Sequence, residues 1–249
     1  MKIILSGAMG HMGREVAQKA EQLGMEIAFG VDVCGGQTTF PIYAGFEACP
    51  EQPDGVIVDF SRPDGLEGLL DYAVRYHVPA VLATTGYSPA QEERVREAAQ
   101  KIAIFHSANM SVGVALLRQL ARKAAQVLGE AFDVEIVEAH HNRKVDAPSG
   151  TALMLYQAVK DEYEAPRELV CGRSGTNCKR AHNEIGMHSL RGGTVTGEHE
   201  VCFFGPAERV TISHSAENRS IFATGALRAA AYIADKAPGL YDMDQMIEM

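Results

Sequence analysis

Residues Glu138 to Ala152 read Glu-Ala-His-His-Asn-Arg-Lys-Val-Asp-Ala-Pro-Ser-Gly-Thr-Ala, and no other stretch gathers so many groups able to move protons or hold charge. His140 and Lys144 can each hand over a proton or face a developing negative charge, and neither falls in a helical apolar pattern that would make it core. The loop from Asp146 to Thr151 opens an apolar-periodic run (Ala152, Leu153, Leu155, Tyr156, Val159), so Ser149 or Thr151 is placed to cap a helix. The free N–H groups of a helix start attract an anion, and cations beside them suit a small carboxylate. His140 and His141 do not read as a metal pair, because neighbours on a strand point to opposite faces whereas helical zinc sites take histidines four residues apart. No metal is expected.

The elements that must position this loop follow from periodicity. A short strand, Ile3 to Ser6, feeds the turn Gly7-Ala8-Met9-Gly10-His11-Met12-Gly13 and then a helix with Val16, Ala17, Ala20 and Leu23 on one face, ended by Gly24. A strand from Glu26 to Val31 delivers Asp32 at its carboxyl end. Further strands are expected at 56–60, 78–83 and 102–105, with helices between them that include one started by Pro89. This alternation argues for a parallel sheet covered on both faces. Beyond Ala108, a long apolar-periodic helix (Val114, Leu117, Leu120, Ala121, Ala124, Leu128) leads out of the first domain, and the pattern turns strand-rich at 134–138, 194–204 and 209–214. A last helix, Ile221 to Asp235, stops before Pro238. The fold class is therefore α/β: a Rossmann-like doubly wound parallel sheet plus a second α+β domain with a mixed sheet.

The glycines at 7, 10 and 13 depart from the commoner G-x-G-x-x-G, but a glycine turn between strand and helix lets the backbone approach a pyrophosphate. Asp32 adds to this, standing 32 − 13 = 19 positions after Gly13 at the end of the next strand, where a carboxylate can bind ribose hydroxyls. The other reading of Asp32 is that it caps a loop.

The chain has 249 residues, 46% hydrophobic and 22% charged, which allows two modest globular domains. A net charge of −9 argues against nucleic acid and against an anionic membrane surface, since both partners need a basic face. Five cysteines without a C-x-x-C pair indicate neither a zinc ribbon nor a disulfide framework, and a reducing cytoplasm fits them. The opening apolar run is broken at Gly7 and Gly10, too soon for a signal peptide, and no segment has the length of a membrane span.

The stretch from Glu138 to Ala152, together with the glycine turn at Gly7 and the closing Pro238-Gly-Leu-Tyr-Asp-Met, resembles the 4-hydroxy-tetrahydrodipicolinate reductase (dihydrodipicolinate reductase) family over nearly the whole chain. The resemblance implies reduction of a cyclic imine dicarboxylate, with loss of water, in lysine and diaminopimelate synthesis. It casts His140 as the acid and Lys144 as a stabilising cation or second proton donor. It implies that His141, Gly150, Thr151 and Arg219 bind the substrate, although Arg219 reads almost as well as a solvated side chain near a helix start. The cofactor would meet Gly7, Ala8, Met9, Gly10, His11, Met12 and Asp32, then Ala83, Thr84 and Thr85, and then Ser107, Ala108, Asn109 and Met110. The family usually has Gly at the position of Ala83, and Asp59-Phe-Ser-Arg-Pro has a supporting role. Both NADH and NADPH are expected as cofactors, with NADH favoured because Asp32 repels a 2′-phosphate and residues 33–37 offer no cation.

The resemblance further implies a dinucleotide-binding domain at 1–109 completed by 217–249, and a substrate-binding and oligomerisation domain at 110–216. The resemblance also implies a homotetramer through the second domain, and sheet edges, which invite pairing, together with the apolar alternation of Val195, Val201, Phe203, Val210 and Ile212 agree with it. His188, His199 and His214 read as structural or interfacial. Two other readings stay open: another two-domain NAD(P)-dependent amino or imino acid dehydrogenase, and a dinucleotide sensor without catalysis. The His-His-x-x-Lys loop speaks against the first, and a sensor has no need of His140 and Lys144.

Overall fold

A computed structural model describes residues 1–51 and 53–248. The chain folds as two compact units, Met1–Val112 with Arg219–Met249, and Gly113–Asn218.

The first unit holds the strands β1 (Lys2–Ser6), β2 (Glu26–Val31), β3 (Ile42–Tyr43), β4 (Val56–Asp59), β5 (Ala80–Leu82) and β6 (Ala103–His106), with helices α1 (His11–Gln22), α2 (Leu66–Tyr76) and α3 (Pro89–Ala99) between them. A long helix, α4 (Val112–Leu128), follows. The second unit then adds β7 (Asp133–His140), α5 (Gly150–Lys160), β8 (Glu168–Cys171), β9 (Glu184–Arg191), β10 (Gly197–Phe204) and β11 (Arg209–Ala216). The chain closes in the first unit with α6 (Ser220–Ile233), β12 (Gly239–Tyr241) and α7 (Met243–Ile247).

The seven strands of the first unit are all parallel, in the order β12-β6-β5-β4-β1-β2-β3. Central parallel strands are buried on both faces and so read as continuous apolar runs, as Ile3-Ile4-Leu5 and Val56-Ile57-Val58 do. On one face Ile4, Ile57, Leu82 and Ile104 pack with α2 and α3 through Leu69, Leu70, Ala73 and Val95. α1 and α6 lie together on the other, α6 running over β4, β5 and β6. Small residues let α6 approach closely: a Cβ on Gly225 would overlap the Met110 carbonyl oxygen.

Local signals set the helix ends. Gly24, at φ +67°, closes α1 with bonds from its own N–H to Glu21 O (3.1 Å) and from Met25 N–H to Ala20 O (2.9 Å), the paired pattern of a Schellman cap. Ser88 and Gln91 form a capping box ahead of Pro89 in α3.

The second unit is a mixed five-stranded sheet, β11-β10-β7-β9-β8. β10 runs antiparallel to β7 and β11, whereas β9 runs parallel to β7 and β8. Leu117, Ala121 and Ala125 of α4 and Ala152, Leu155 and Val159 of α5 cover one face, packing on Val134, Ile136, Ile185, Met187, Val201 and Phe203. Val201 and Phe203, counted at first toward a subunit interface, are thus fully buried in the unit's own core, and Val210 and Ile212 pack against it. The opposite face carries Val137, Ala139 and an exposed Leu190 among polar residues. Among the described residues no helix is long and apolar enough to cross a membrane.

The glycine turn gives a prediction. A Cβ at Gly13 would overlap the Gly7 carbonyl oxygen and come within 2.8 Å of Ala8 Cα, both backbone atoms that cannot swing away, whereas at Gly10 the one near atom is Gly7 O at 3.2 Å. Gly13→Ala is expected to destabilise by roughly 1–3 kcal/mol and to weaken nucleotide binding, and Gly10→Ala to be much milder. Thermal unfolding and NADH titration check it, and equal behaviour of the two variants would refute it.

Candidate active site

Parallel strands put all their carboxyl ends at one edge of the sheet, so the loops after β1, β2, β4, β5 and β6 share that edge by topology. Strand order reverses between β1 and β4, the place where open α/β sheets form a ligand crevice. Backbone bonds stitch the loop starts to neighbouring strands: Gly7 N to Val31 O (2.9 Å), Phe60 N to Ser6 O (3.1 Å), Ala83 N to Asp59 O (3.0 Å) and Ser107 N to Leu82 O (3.3 Å).

At the crevice Gly7 adopts φ +74°, and a Cβ there would lie 2.6 Å from Phe60 O. Only glycine tolerates both conditions. Asp32 closes the turn from the side, its carboxylate accepting from Met9 N at 2.9 Å and from Cys34 N at 2.8 Å. It is thus a loop brace, and a carboxylate has further lone pairs for other donors.

The remaining dinucleotide candidates separate by exposure. Gly10, His11, Thr85 and Ala108 are exposed, and Met9, Met12, Ala83, Ser107 and Asn109 are half-buried. Ala8, Thr84 and Met110 are buried and can offer only backbone. Thr84 Oγ1 donates to Asp59 Oδ2 at 2.7 Å, and Ser61 N to Asp59 Oδ1 at 3.2 Å. The buried Asp59 therefore holds two crevice loops together, a larger part than its supporting role in the sequence reading. Asn109 orders its loop, its Oδ1 accepting from Ser111 N at 2.8 Å. A backbone cradle that any Cβ would fill, an open helix start at α1 and a carboxylate at the end of β2 together fit a dinucleotide.

In the second unit the core-facing row of the sheet changes character along its length. It is apolar at Val134, Ile136, Met187 and Val201, then polar at Glu138, His140, Arg191, His199 and His214. Glu138 is fully buried. Its oxygens accept from Arg191 Nη1 and Nη2, both at 2.8 Å, and from Ser149 N at 3.2 Å, and His140 Nδ1 lies 2.6 Å from Oε2. Burial works against the charged carboxylate, but Arg191, Ser189 and His140 outweigh it and hold its pKa down at about 2.

Ser149 is the cap of α5, accepting from Ala152 N at 3.2 Å, and its Oγ is hydrogen-bonded to His199 Nε2 at 3.2 Å. Thr151 instead lies inside the first turn. The His199 ring stands 5.3 Å from that of His140, edge to face. Burial, with His140, His214 and Lys144 nearby, pushes His199 down to about 4 against the pull of Glu138, so its ring is neutral at pH 7. Burial lowers His214 as well.

The chain leaves β7 through a turn in which Lys144 N donates to His141 O at 3.1 Å, and Lys144 Nζ pairs with Asp146 Oδ1 at 2.9 Å. Nothing lies within 4 Å of a Cβ built on Gly150, the first residue of α5, so there is open space beside that residue. His140, His141, Lys144, Gly150 and Thr151 therefore belong to one unit, with His140 on the core-facing row and His141 just past the strand. Arg219 belongs to the other unit, where it is exposed at the start of α6 and makes no side-chain cap bond. Glu138, Arg191 and His199 escaped the sequence reading as site residues, and a histidine two positions after a strand glutamate on the same face was the available signal for Glu138.

A parallel sheet with a glycine cradle in one unit, and a histidine- and lysine-bearing loop that runs into the start of α5 in the other, are features of a dinucleotide-dependent oxidoreductase. Residues 1–110 match the family description "Dihydrodipicolinate reductase, N-terminus" and residues 113–247 "Dihydrodipicolinate reductase, C-terminus". The 4-hydroxy-tetrahydrodipicolinate reductases of Caldanaerobacter subterraneus subsp. tengcongensis and Clostridium novyi are 45% and 43% identical to it, over 100% and 99% of this chain and 98% of each relative. A dipicolinate-bound dihydrodipicolinate reductase from Paenisporosarcina sp. TG-14 shares the fold, with a TM-score of 0.79 at 22% identity over 97% of both chains. The chain belongs to the dihydrodipicolinate reductase family.

The buried ionisable groups predict how stability depends on pH. A carboxyl at about 2 against an ordinary 4.5 contributes on the order of 3 kcal/mol, present above about pH 4.5 and lost as pH falls toward 2. His199, held near 4 against 6.5, takes up a proton more readily when unfolded, so stability already declines between about pH 6.5 and 4. Melting temperature should therefore fall in two stages on acidification, with His199→Gln flattening the upper stage and Glu138→Gln the lower. A stability flat from pH 7 to 4 in the wild-type protein would contradict the first stage.

Proposed function

We propose that this protein reduces 4-hydroxy-tetrahydrodipicolinate to tetrahydrodipicolinate, with loss of water, as a step of lysine and diaminopimelate synthesis. Family membership over the whole chain carries the reading, and the His140–Glu138 contact beside the start of α5 supports the assignment of roles. The glycine turn, Asp32, the loop 83–85 and the loop 107–110 would hold NADH or NADPH, which would supply the hydride. Hydride addition to a conjugated imine leaves an electron pair on the ring that a proton must quench, and His140 delivers it. Lys144 faces the developing negative charge and shares in proton delivery. The N–H groups of Gly150 and Thr151, the Thr151 hydroxyl and His141 take a ring carboxylate, as helix starts favour anions. Arg219 is a further carboxylate partner, suited by its two-pronged geometry. The first unit serves as the dinucleotide domain and the second as the substrate and assembly domain.

NADH is the favoured cofactor. Asp32 sits where a 2′-phosphate would meet like charge, and its neighbours from Val33 to Pro41 include no cation. All five cysteines are free thiols, which suits a reducing cytoplasm.

Following NADH and NADPH absorbance with the imine substrate tests the reading. The expected outcome is turnover with both cofactors and a higher kcat/KM for NADH, competition by dipicolinate against the imine only, and roughly 10²-fold or greater loss in His140→Gln and Lys144→Ala with NADH affinity kept. Dipicolinate is the ligand of the Paenisporosarcina structure. Absence of turnover would sink the activity, and near-normal turnover in both variants would sink the roles of His140 and Lys144.

The chain also assembles as a homotetramer through the second unit. The sheet face carrying Val137, Ala139 and the 56% exposed Leu190 supports this better than Val201 and Phe203, which are core. Light scattering should give four times the 26.9 kDa chain mass, and a single-chain mass at assay concentration would rule the assembly out.

A further inference from the structure

Proton delivery by an imidazole depends on which nitrogen carries the mobile proton, and the buried contacts around His140 address that choice. An ionised carboxylate only accepts, so His140 Nδ1, at 2.6 Å from Glu138 Oε2, must be the donor and keep its proton whether the ring is neutral or charged. Nε2 is then the atom that gains and loses a proton. A Cβ on Gly197 would come to 3.2 Å from that Nε2, so the glycine leaves the nitrogen uncovered on the β10 side.

Glu138 is itself held by Arg191, whose fork meets both carboxylate oxygens at 2.8 Å and whose Nη2 also donates to Asp146 O at 2.7 Å. Asp146 in turn pairs with Lys144. One guanidinium thereby ties the strand that bears His140 to the loop that bears Lys144. We infer that Arg191 and Glu138 are a positioning pair for the proposed reduction: Glu138 assigns the mobile proton to His140 Nε2, and Arg191 offsets its charge while fixing the Lys144 loop against the same strand. This rests on the reading of His140 as the acid.

The charged and titratable groups around His140 are Glu138 on its own strand, Arg191 on β9, His199 on β10, His214 on β11, and Lys144 and Asp146 in the loop, with the Ser149 cap beside them. Burial lowers the pKa of His199 to about 4 and that of His214 as well, which works against a positive charge on either ring. Glu138, Arg191 and the Lys144–Asp146 pair therefore set the field at the ring.

Opposite charge changes give a test that a purely structural ion pair would not pass. Arg191→Met leaves the Glu138 carboxylate facing the imidazole alone, which favours the protonated ring, so the alkaline limb of the kcat/KM profile should move to higher pH. Glu138→Gln leaves Arg191 without its counter-charge, which disfavours the protonated ring, and the same limb should move to lower pH. Arg191→Lys keeps the charge but not the fork, and should leave the limb near its wild-type position while kcat drops about tenfold. The KM for NADH should change less than about twofold in all three. Shifts in the same direction, or no shift in folded variants, would overturn the pairing.

Nitrogen-15 NMR of histidine-labelled wild-type protein, with no substrate present, keeps the test open should a variant fail to fold. The neutral His140 ring is expected to carry its proton on Nδ1, and a proton on Nε2 instead would overturn the inference. That spectrum does not depend on the reaction, so an inactive protein with the expected ring form would sink the activity and leave standing only the assignment of the Nδ1 proton by Glu138.

Discussion

Burying the Glu138 carboxylate under α5 costs several kcal/mol unless its charge is met and its lone pairs filled. The second unit is arranged around that requirement. Arg191 arrives from β9, 53 residues along the chain, His140 from the same strand, and Ser149 from the start of α5. The contacts of Arg191 and Ser149 that lower the cost also each fix a second segment against β7. The fork of Arg191 reaches on to the Lys144 loop, the Ser149 amide brings the helix start over the sheet, and the Ser149 hydroxyl ties that start to His199. Loss of one partner from such a set leaves a buried charge unmet, a change in the range of about 3–5 kcal/mol.

The first unit meets a different constraint, that of close approach. A pyrophosphate can lie against backbone only where no Cβ intervenes, and at Gly7 and Gly13 the space a Cβ would take is already occupied by neighbouring main chain. Among the described residues of this unit the one deeply buried acid, Asp59, accepts from Thr84 and Ser61 and so joins two loops at the sheet edge. Of the residues read as cofactor contacts, Gly10, His11, Thr85 and Ala108 are exposed, and none of them carries a carboxylate.

Much of this was legible in the sequence because it is written in local terms. Buried parallel strands such as Val56-Ile57-Val58, the Ser88-Pro89 helix start and the Gly24 stop each carry their signal within a few residues. β9 did not, because its core-facing row runs Ile185, Met187, Ser189, Arg191 while its other row includes Gly186 and Leu190, so the alternation of apolar and polar breaks where the site begins. β3 and β12, at two and three residues, are too short to show a period. β8 escaped for a related reason, being a half-exposed four-residue edge strand. The Arg191–Glu138 pair follows from the register of two strands and has no local trace. His199 reads from sequence as structural or interfacial, and its bond to the Ser149 cap likewise spans distant segments.

That register is itself a consequence of the core. On the helix-covered face β7 presents Val134, Ile136, Glu138 and His140 in turn, β10 sets His199 opposite Glu138, and β9 sets Arg191 opposite His140. A slip of one residue in β9 would turn Ile185, Met187 and Arg191 to the other face together. The apolar half of the row resists this, since exposing a fully buried aliphatic side chain costs roughly 1.5–3 kcal/mol and several would be exposed at once. Packing of Ile185 and Met187 beneath α4 and α5 thus delivers the Arg191 fork to Glu138, and through Glu138 sets the nitrogen that His140 turns outward. The geometry of the polar end is bound to the fit of the apolar end, so core substitutions at Ile185 or Met187 act on the site through the strand they lock in place.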